Sequence, residues 1–458
     1  MEQKVHAPGL QGMSGPMLFA QRAIKPIKPI MRPVIKRGPS LAKRFRALRQ
    51  QPFFRPLAAL SFLGPGLIAA NAGNDAGGIT TYAAVGAQYG YGLLWMLIPI
   101  TISMAVVQEM CARMGAATGQ GLSDLIRERF GVRGATFAMC TLLIANAVIT
   151  ISEFAGIAAA SQLLGIPIYL TVPLAAVGIW LVVTRSSSER VEKIFLLMTL
   201  PFFAYPIAAI LAHPDWAEVG KAVVKPTIQT SSTYVILLIA TIGTTITPYM
   251  QLYLQSATVE RGVREEELGR EETEAVAGSI FACLISAFIV IATGATLYKH
   301  GIHEIGSAAE AAAALKPFAG QFAETLFGIG LLGASLLACA ILPIATSYVV
   351  SESLGYEKGI GRRPGEAPVF VGIITAMIVI SAIVAVVPGV PVISLLIGVQ
   401  VVNGLLLPIN LFFIWRLSRS RRVMGERRSR GLLDAVTGLT VAVLSCLSIV
   451  LVAVTVLG

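Results

Sequence analysis

Long apolar runs recur through this 458-residue chain, and roughly 20 apolar residues are what an α-helix needs to cross a bilayer. Eleven such runs are predicted, at about 57–84, 91–112, 134–163, 167–184, 194–212, 232–259, 275–298, 321–351, 367–388, 391–415 and 432–457. Inside lipid a segment must satisfy its own backbone polar groups, which favours helices for runs of this kind. The predicted class is an all-α polytopic membrane protein. Charged residues make up 13% of the chain, against about 25% in soluble domains. Mean hydropathy is +0.74. The five cysteines (Cys111, Cys140, Cys283, Cys339, Cys446) lie in apolar runs at unrelated spacings. They read as small packing residues, with no thiolate metal site or disulfide framework.

The net charge of +11 would suit nucleic acid if it were spread over the chain, but it is not. Residues 1–56 hold twelve Lys/Arg and a single acid, Glu2. This Pro-interrupted stretch has no signal-peptide core and reads as a basic cytoplasmic tail, able to lie on anionic lipid headgroups. With the amino terminus inside and eleven alternating spans, the inner segments carry 32 of the 36 Lys/Arg. Outside there are only Lys221, Lys225, Lys299 and Lys316. That asymmetry follows the positive-inside rule. It predicts an inner (plasma) membrane protein with a cytoplasmic amino terminus and an outer carboxyl terminus. Two loops stand out. "RGVREEELGREETE" (261–274) reads as a solvated helix or linker. "GIHEIGSAAEAAAALKPF" (301–318) reads as an outer alanine-rich helix beside His300, with His303 and Glu304 in a plain loop or an incomplete metal-collecting cluster.

Two spans are interrupted. The first contains "NDAGGITTY" (74–82), with one carboxylate, Asp75, and two glycines. The sixth contains "TIGTTITPYMQLYLQS" (241–256), with Pro248 among threonines. Proline removes a helical hydrogen bond, and an ionisable side chain at bilayer depth is expensive and marks function. Five spans per unit is odd, so a second unit repeating the first is inverted. Matched breaks in inverted units point to a transporter with its site at the midplane. The expected organisation is a tail (1–56), a five-span unit (57–212), a second five-span unit (232–415) and an eleventh span (432–457). Asp75, Thr244, Thr247 and carbonyls freed by Pro248 form a hard-oxygen donor set. It suits Mg²⁺, Mn²⁺ or Ca²⁺ over soft metals; Na⁺, a proton or an organic amine would also satisfy one carboxylate. Further polar groups at depth are Asn71, Asn74, Tyr249, Gln400, Asn403 and Glu153. Gln400 is the best supporting candidate, and Glu153 serves either the fold or the ion path. Glu109 and Glu352, near helix ends, read as structural.

Several stretches carry a family resemblance. "GPGLIAANAGNDAGG" with "AAVGAQYGYGLLW" resembles the first helix of the NRAMP family of divalent metal transporters. "QEMCARMGAATGQGLSDLIRERFG" (108–131) resembles its second helix and following loop, and "SEFAGIAAASQLLG" (152–165) its third, with Glu153 on an acidic position. "TSYVVSESLG" (346–355) and "VQVVNGLLLP" (399–408) are similar to helices 8 and 10, Gln400 falling on a motif glutamine. The resemblance runs from about 60 to 417. It implies a LeuT-type fold, a 5+5 inverted repeat plus an eleventh helix with helices 1 and 6 broken, and alternating access. The departures shape the expected cargo. Gly78 stands at the family's asparagine ligand, Thr247 at its methionine and Tyr249 at its histidine. Thr150 stands at a family acid, and "PYMQLYLQS" has one residue more than the family pattern. A thioether favours transition metals; its loss, with the room left by glycine, fits the reluctantly dehydrated Mg²⁺. These departures resemble the NRAMP-related magnesium transporter branch.

The expected function is uptake of Mg²⁺ and Mn²⁺ as a partly hydrated ion, without proton coupling. The metal ligands would be Asp75, Gly78, Thr244 and Thr247, with Asn74, Tyr249, Gln400 and Glu153 as supporting or path residues. The metal is cargo, and no cofactor is expected. The alternative is a proton-coupled Mn²⁺/Fe²⁺ importer. An amino-acid or amine carrier of the same fold is disfavoured because Asp75 would repel a substrate carboxylate. The tail lacks the apolar pattern of a sensor's output domain, and no nucleophile motif, ligand spacing or phosphate loop suggests an enzyme.

Overall fold

A computed structural model describes residues 65–229, 231–263, 267–305, 308–387 and 392–457. The basic tail and the start of the first span, residues 57–64, lie outside the described residues. The helices that matter here are α1 (Pro65–Ala72), α2 (Ala76–Tyr89), α3 (Leu97–Thr118), α4 (Leu122–Leu163), α5 (Ile168–Arg185), α6 (Ser188–Met198), α7 (Ala204–Leu211) and α8 (Trp216–Val224). They continue with α9 (Ser232–Thr245), α10 (Pro248–Glu260), α11 (Leu268–Thr296), α12 (Ala308–Leu354), α13 (Pro368–Val386), α14 (Val392–Ser418) and α15 (Leu432–Leu457). Nine helical segments among the described residues are long and apolar enough to cross a membrane. The first span is not among them: its described part begins at Pro65 and consists of α1 and α2 separated by three residues, whereas the broken sixth span, Ser232–Glu260, counts as one. The last is the apolar helix α15.

Both predicted breaks are present, and both follow from sequence. α1 ends where Gly73 and Asn74 close a turn onto Ala70 and Asn71. α2 then starts on an Asp75 N-cap with extended backbone (φ −70°, ψ 178°). Aspartate is among the best residues for that position, since its carboxylate satisfies an otherwise orphan N–H. In the second unit, α9 stops at Thr245, Ile246 leaves helical geometry (φ −115°, ψ 55°), and Pro248 opens α10. Proline at the first helical position gives up an N–H that has no partner there anyway.

Around the breaks the bundle is closely assembled. α11 packs against α1, α2 and α3, and α12 against α4. α9 meets α14 at glycines on both helices: a Cβ on Gly243 would overlap the Gln400 carbonyl oxygen and the Gly404 nitrogen. Cys111, Cys283 and Cys339 are buried; Cys140 and Cys446 are exposed; all five are free thiols.

Three expectations are corrected. The stretch after the second span, read as a loop, is helical from Leu122. It joins the third span across Gly131, whose φ of 75° breaks the helical geometry inside α4. The alanine-rich outer helix and the eighth span form one helix of 47 residues, α12. The acidic stretch 261–274 is not simply solvated. Glu271 and Glu274, in the first turns of α11, are buried around Arg261, which bonds Glu271 at 3.0 Å and lies 3.9 Å from Glu192 and from Glu274. Buried charges persist only when paired, and one guanidinium here serves three carboxylates from α6 and α11. Glu352, as expected of a structural group, accepts from the Ser256 hydroxyl (2.9 Å) and the Ser123 N–H (3.2 Å), tying α12 to α10 and α4.

Candidate functional site

The two breaks face each other. Asp75 accepts from the Gly78 N–H at 2.6 Å, the Gln400 side-chain amide at 3.0 Å and the Tyr249 hydroxyl at 3.4 Å. Gln400, on α14, is held by Asn403, whose amide donates to its oxygen at 2.9 Å. Tyr249 donates a shorter bond, 2.6 Å, to the carbonyl of Ala72, the last residue of α1. The Thr244 hydroxyl crosses from α9 to the Gly73 carbonyl at 3.0 Å, and the Thr247 hydroxyl turns back to the Thr244 carbonyl at 3.4 Å. The side chains of Asp75, Thr244, Thr247, Tyr249 and Gln400 are all fully buried. The carbonyls at the end of α1 therefore find partners on the other break. Parting the two would expose one carboxylate, two hydroxyls and several backbone carbonyls together.

The chemistry of this cluster suits a hard cation. Among the described residues no group of three or more His, Cys, Asp or Glu gathers into a metal cluster, and no ion pair to Asp75 is present. The donors on offer are one carboxylate with neutral oxygens. Proline at 248 lacks the N–H that the Thr244 carbonyl would bond in a continuous helix, so that oxygen stands outside the helical ladder. The charge of a bound cation would be met by Asp75, at the start of α2, where the helix dipole also favours the carboxylate.

Of the residues expected at the site, Asp75, Gly78, Thr244, Thr247, Tyr249 and Gln400 come together. Asn74 does not. Its amide donates to the Ala282 carbonyl (3.0 Å) and its oxygen accepts from Ser286 (2.8 Å), so it braces the break against α11. Glu153 meets the same helix end, at the residue after Asp75. One of its oxygens accepts from the Ala76 N–H at 3.0 Å, and the other is buried with no hydrogen bond. Gly78 differs from the expectation of room. A Cβ there would stand 2.6 Å from both the Gly73 carbonyl oxygen and the Thr244 hydroxyl. The space left by the missing side chain is filled by Thr244 in this conformation. The possible outer metal cluster is not assembled: His300 bonds the Thr296 carbonyl, and His303 reaches Ala87 and stacks on Tyr298.

One contributor, Met250, was missed, and another, Asn403, was named only as a polar group at depth. Asn403, one turn along α14, orients Gln400. Met250 places its sulfur beside Gly73, 3.1 Å from the position of a Cβ. The available signal for Met250 was the extra residue in "PYMQLYLQS".

The chain is similar to several known proteins. A family model described as natural resistance-associated macrophage protein-like (Nramp) matches residues 66–454. A divalent metal cation transporter, MntH, of Deinococcus radiodurans is 31% identical over 313 residues, covering 65% of this chain and 70% of that protein. The protein of the same name from Agrobacterium fabrum is 29% identical over 413 residues, 85% of this chain and 86% of its own. Among solved structures, the manganese transporter of Eremococcus coleocola superposes with a TM-score of 0.70 at 20% identity. The match covers 91% of this chain and 88% of that one, a likeness of fold.

Proposed function

This chain belongs to the Nramp family, and from that premise we propose that it takes up Mg²⁺ and Mn²⁺ across the plasma membrane by alternating access, binding a partly hydrated ion between the two breaks. It is an integral membrane transporter of divalent metal ions. The choice of ions and the absence of proton coupling are the finer reading.

The observation that carries this reading is the donor set itself. Asp75 faces Thr244, Thr247 and backbone carbonyls, and position 247 offers a hydroxyl where the family pattern has a thioether. Hard oxygens and water suit Mg²⁺, which binds through few protein ligands and keeps several waters. The ion enters when Thr244 leaves the Gly73 carbonyl and the half-helices part, which frees the volume beside Gly78. Gln400 then hands Asp75 over to the ion while Asn403 keeps its amide in place. Transport runs downhill. Tyr249 and Thr150 stand where titratable groups would relay a proton, and α13 carries no charged residue, whereas a relay needs a chain of such groups. A membrane potential negative inside supplies about 2.3 kcal/mol per elementary charge per 100 mV. The distribution of Lys/Arg supports a cytoplasmic amino terminus.

The test is Mg²⁺ influx into proteoliposomes with dyes reporting lumenal Mg²⁺ and pH. Saturable influx driven by an inside-negative potential, with no lumenal acidification, is expected. Acidification in step with influx would restore the proton-coupled alternative. In the same assay Gln400→Leu should raise the half-saturating Mg²⁺ concentration by roughly tenfold, the scale of lost outer-shell support at metal sites. Unchanged half-saturation would remove Gln400 from the account.

A further inference from the structure

We propose that Met250 supplies a soft donor to this ion path from a position three residues past the family's methionine, and so sets how strongly softer divalent ions compete with Mg²⁺. The proposal rests on the functional reading above and adds a specificity-determining residue to it.

The geometry centres on Gly73. The single point where a Cβ on Gly73 would sit lies 2.7 Å from the Thr244 carbonyl oxygen, 3.2 Å from the Thr245 carbonyl oxygen and 3.1 Å from the Met250 sulfur. Two carbonyls from the end of α9 and one thioether from the first turn of α10 thus converge on the end of α1. The Thr244 carbonyl belongs to the candidate cation site, since Pro248 denies it a helical partner. The Gly73 carbonyl takes the Thr244 hydroxyl, and Gly73 lies two residues from Asp75 in the turn between α1 and α2. The sulfur is therefore a neighbour of the hard-oxygen donors.

Three features of this chain put it there. Gly73 has no side chain, and any Cβ would meet backbone oxygen at a distance real Cβ atoms do not adopt. α10 begins directly at Pro248, so residues 249 and 250 leave its first turn toward α1. Tyr249 reaches the Ala72 carbonyl, and Met250 reaches Gly73. With one residue more than the family pattern between Pro248 and Leu252, that turn contains a methionine. Met250 is fully buried, and the thioether is an unbranched, polarizable group that adapts to the space it is given. Mg²⁺ gains nothing from sulfur, whereas softer ions do. The ligand lost at Thr247 is thus recovered nearby, on a flexible arm that a hydrated Mg²⁺ can leave unused.

Cd²⁺ is the soft probe. Mg²⁺ influx into proteoliposomes is measured against increasing Cd²⁺ for wild type and for Met250→Leu, a volume-conserving change that cores tolerate well. The half-inhibiting Cd²⁺ concentration should rise roughly tenfold in the variant, several-fold more than any change in half-saturating Mg²⁺. Equal Cd²⁺ inhibition of both proteins would overturn the proposal. So would a parallel loss of Mg²⁺ and Cd²⁺ interaction, which would make Met250 a packing residue. If wild type carries Mn²⁺ and not Mg²⁺, the functional reading fails, and the same Cd²⁺ comparison is read on Mn²⁺ influx.

Discussion

Replacing Asp75 by alanine is expected to reduce Mg²⁺ and Mn²⁺ influx to that of protein-free vesicles. Asp75 is the carboxylate that accepts from Gly78 in one break and Tyr249 in the other, and no ion pair to it is present among the described residues; Glu153, the neighbouring carboxylate, is tied to the Ala76 N–H. The same substitution leaves the Gly78 N–H and the Gln400 amide without their acceptor, while the Tyr249 hydroxyl keeps the Ala72 carbonyl. Each unsatisfied buried group costs about 1–3 kcal/mol, so some loss of stability accompanies the loss of transport. Asp75→Asn separates the two effects. It keeps one oxygen able to accept from Gly78 and Gln400, removes the charge and turns the other oxygen into an amide donor. Its chromatographic profile in detergent should match wild type while influx stays at background. Influx retained in Asp75→Asn would mean that the ion is held elsewhere.

The second large effect is structural. Gly243→Val should abolish recovery of monodisperse protein. α9 and α14 touch backbone to backbone at Gly243, and a Cβ would overlap both the Gln400 carbonyl oxygen and the Gly404 nitrogen. Overpacking a core costs about 1–3 kcal/mol when side chains can yield. Here the obstacles are backbone atoms, so the cost is expected above about 3 kcal/mol. The contact also fixes the helix that carries Gln400, one residue pair away from Asp75. A monodisperse Gly243→Val protein with wild-type influx would show that α9 and α14 do not meet this closely.

The spans were legible because hydropathy reports burial in lipid directly, and the breaks because Pro248 and the charged, glycine-containing "NDAGG" interrupt otherwise uniform runs. Segments held by long-range partners were harder to read. Leu122–Phe130 carries charges at intervals and no apolar run, so its helix was missed. The burial of Glu271 and Glu274 depends on Arg261 folding back onto α11. Side-chain direction was the other blind spot. Asn74 sits next to Asp75 in sequence, yet its partners Ala282 and Ser286 lie on another helix and turn it away. Gly78 suggested empty volume, but Thr244 from the opposite break occupies it. Met250 gave no sign of facing Gly73, because the extra residue alone does not say which way the first turn of α10 points.

The central claim is that a hard-oxygen site admits Mg²⁺ as readily as it admits Mn²⁺. The direct measurement is Mn²⁺ influx into proteoliposomes of purified protein in the presence of millimolar Mg²⁺, with Asp75→Asn alongside as the blank. The account predicts that Mg²⁺ suppresses Mn²⁺ influx in a saturable way and itself accumulates in the lumen. Mn²⁺ influx indifferent to millimolar Mg²⁺ would contradict it and leave a transition-metal importer in its place.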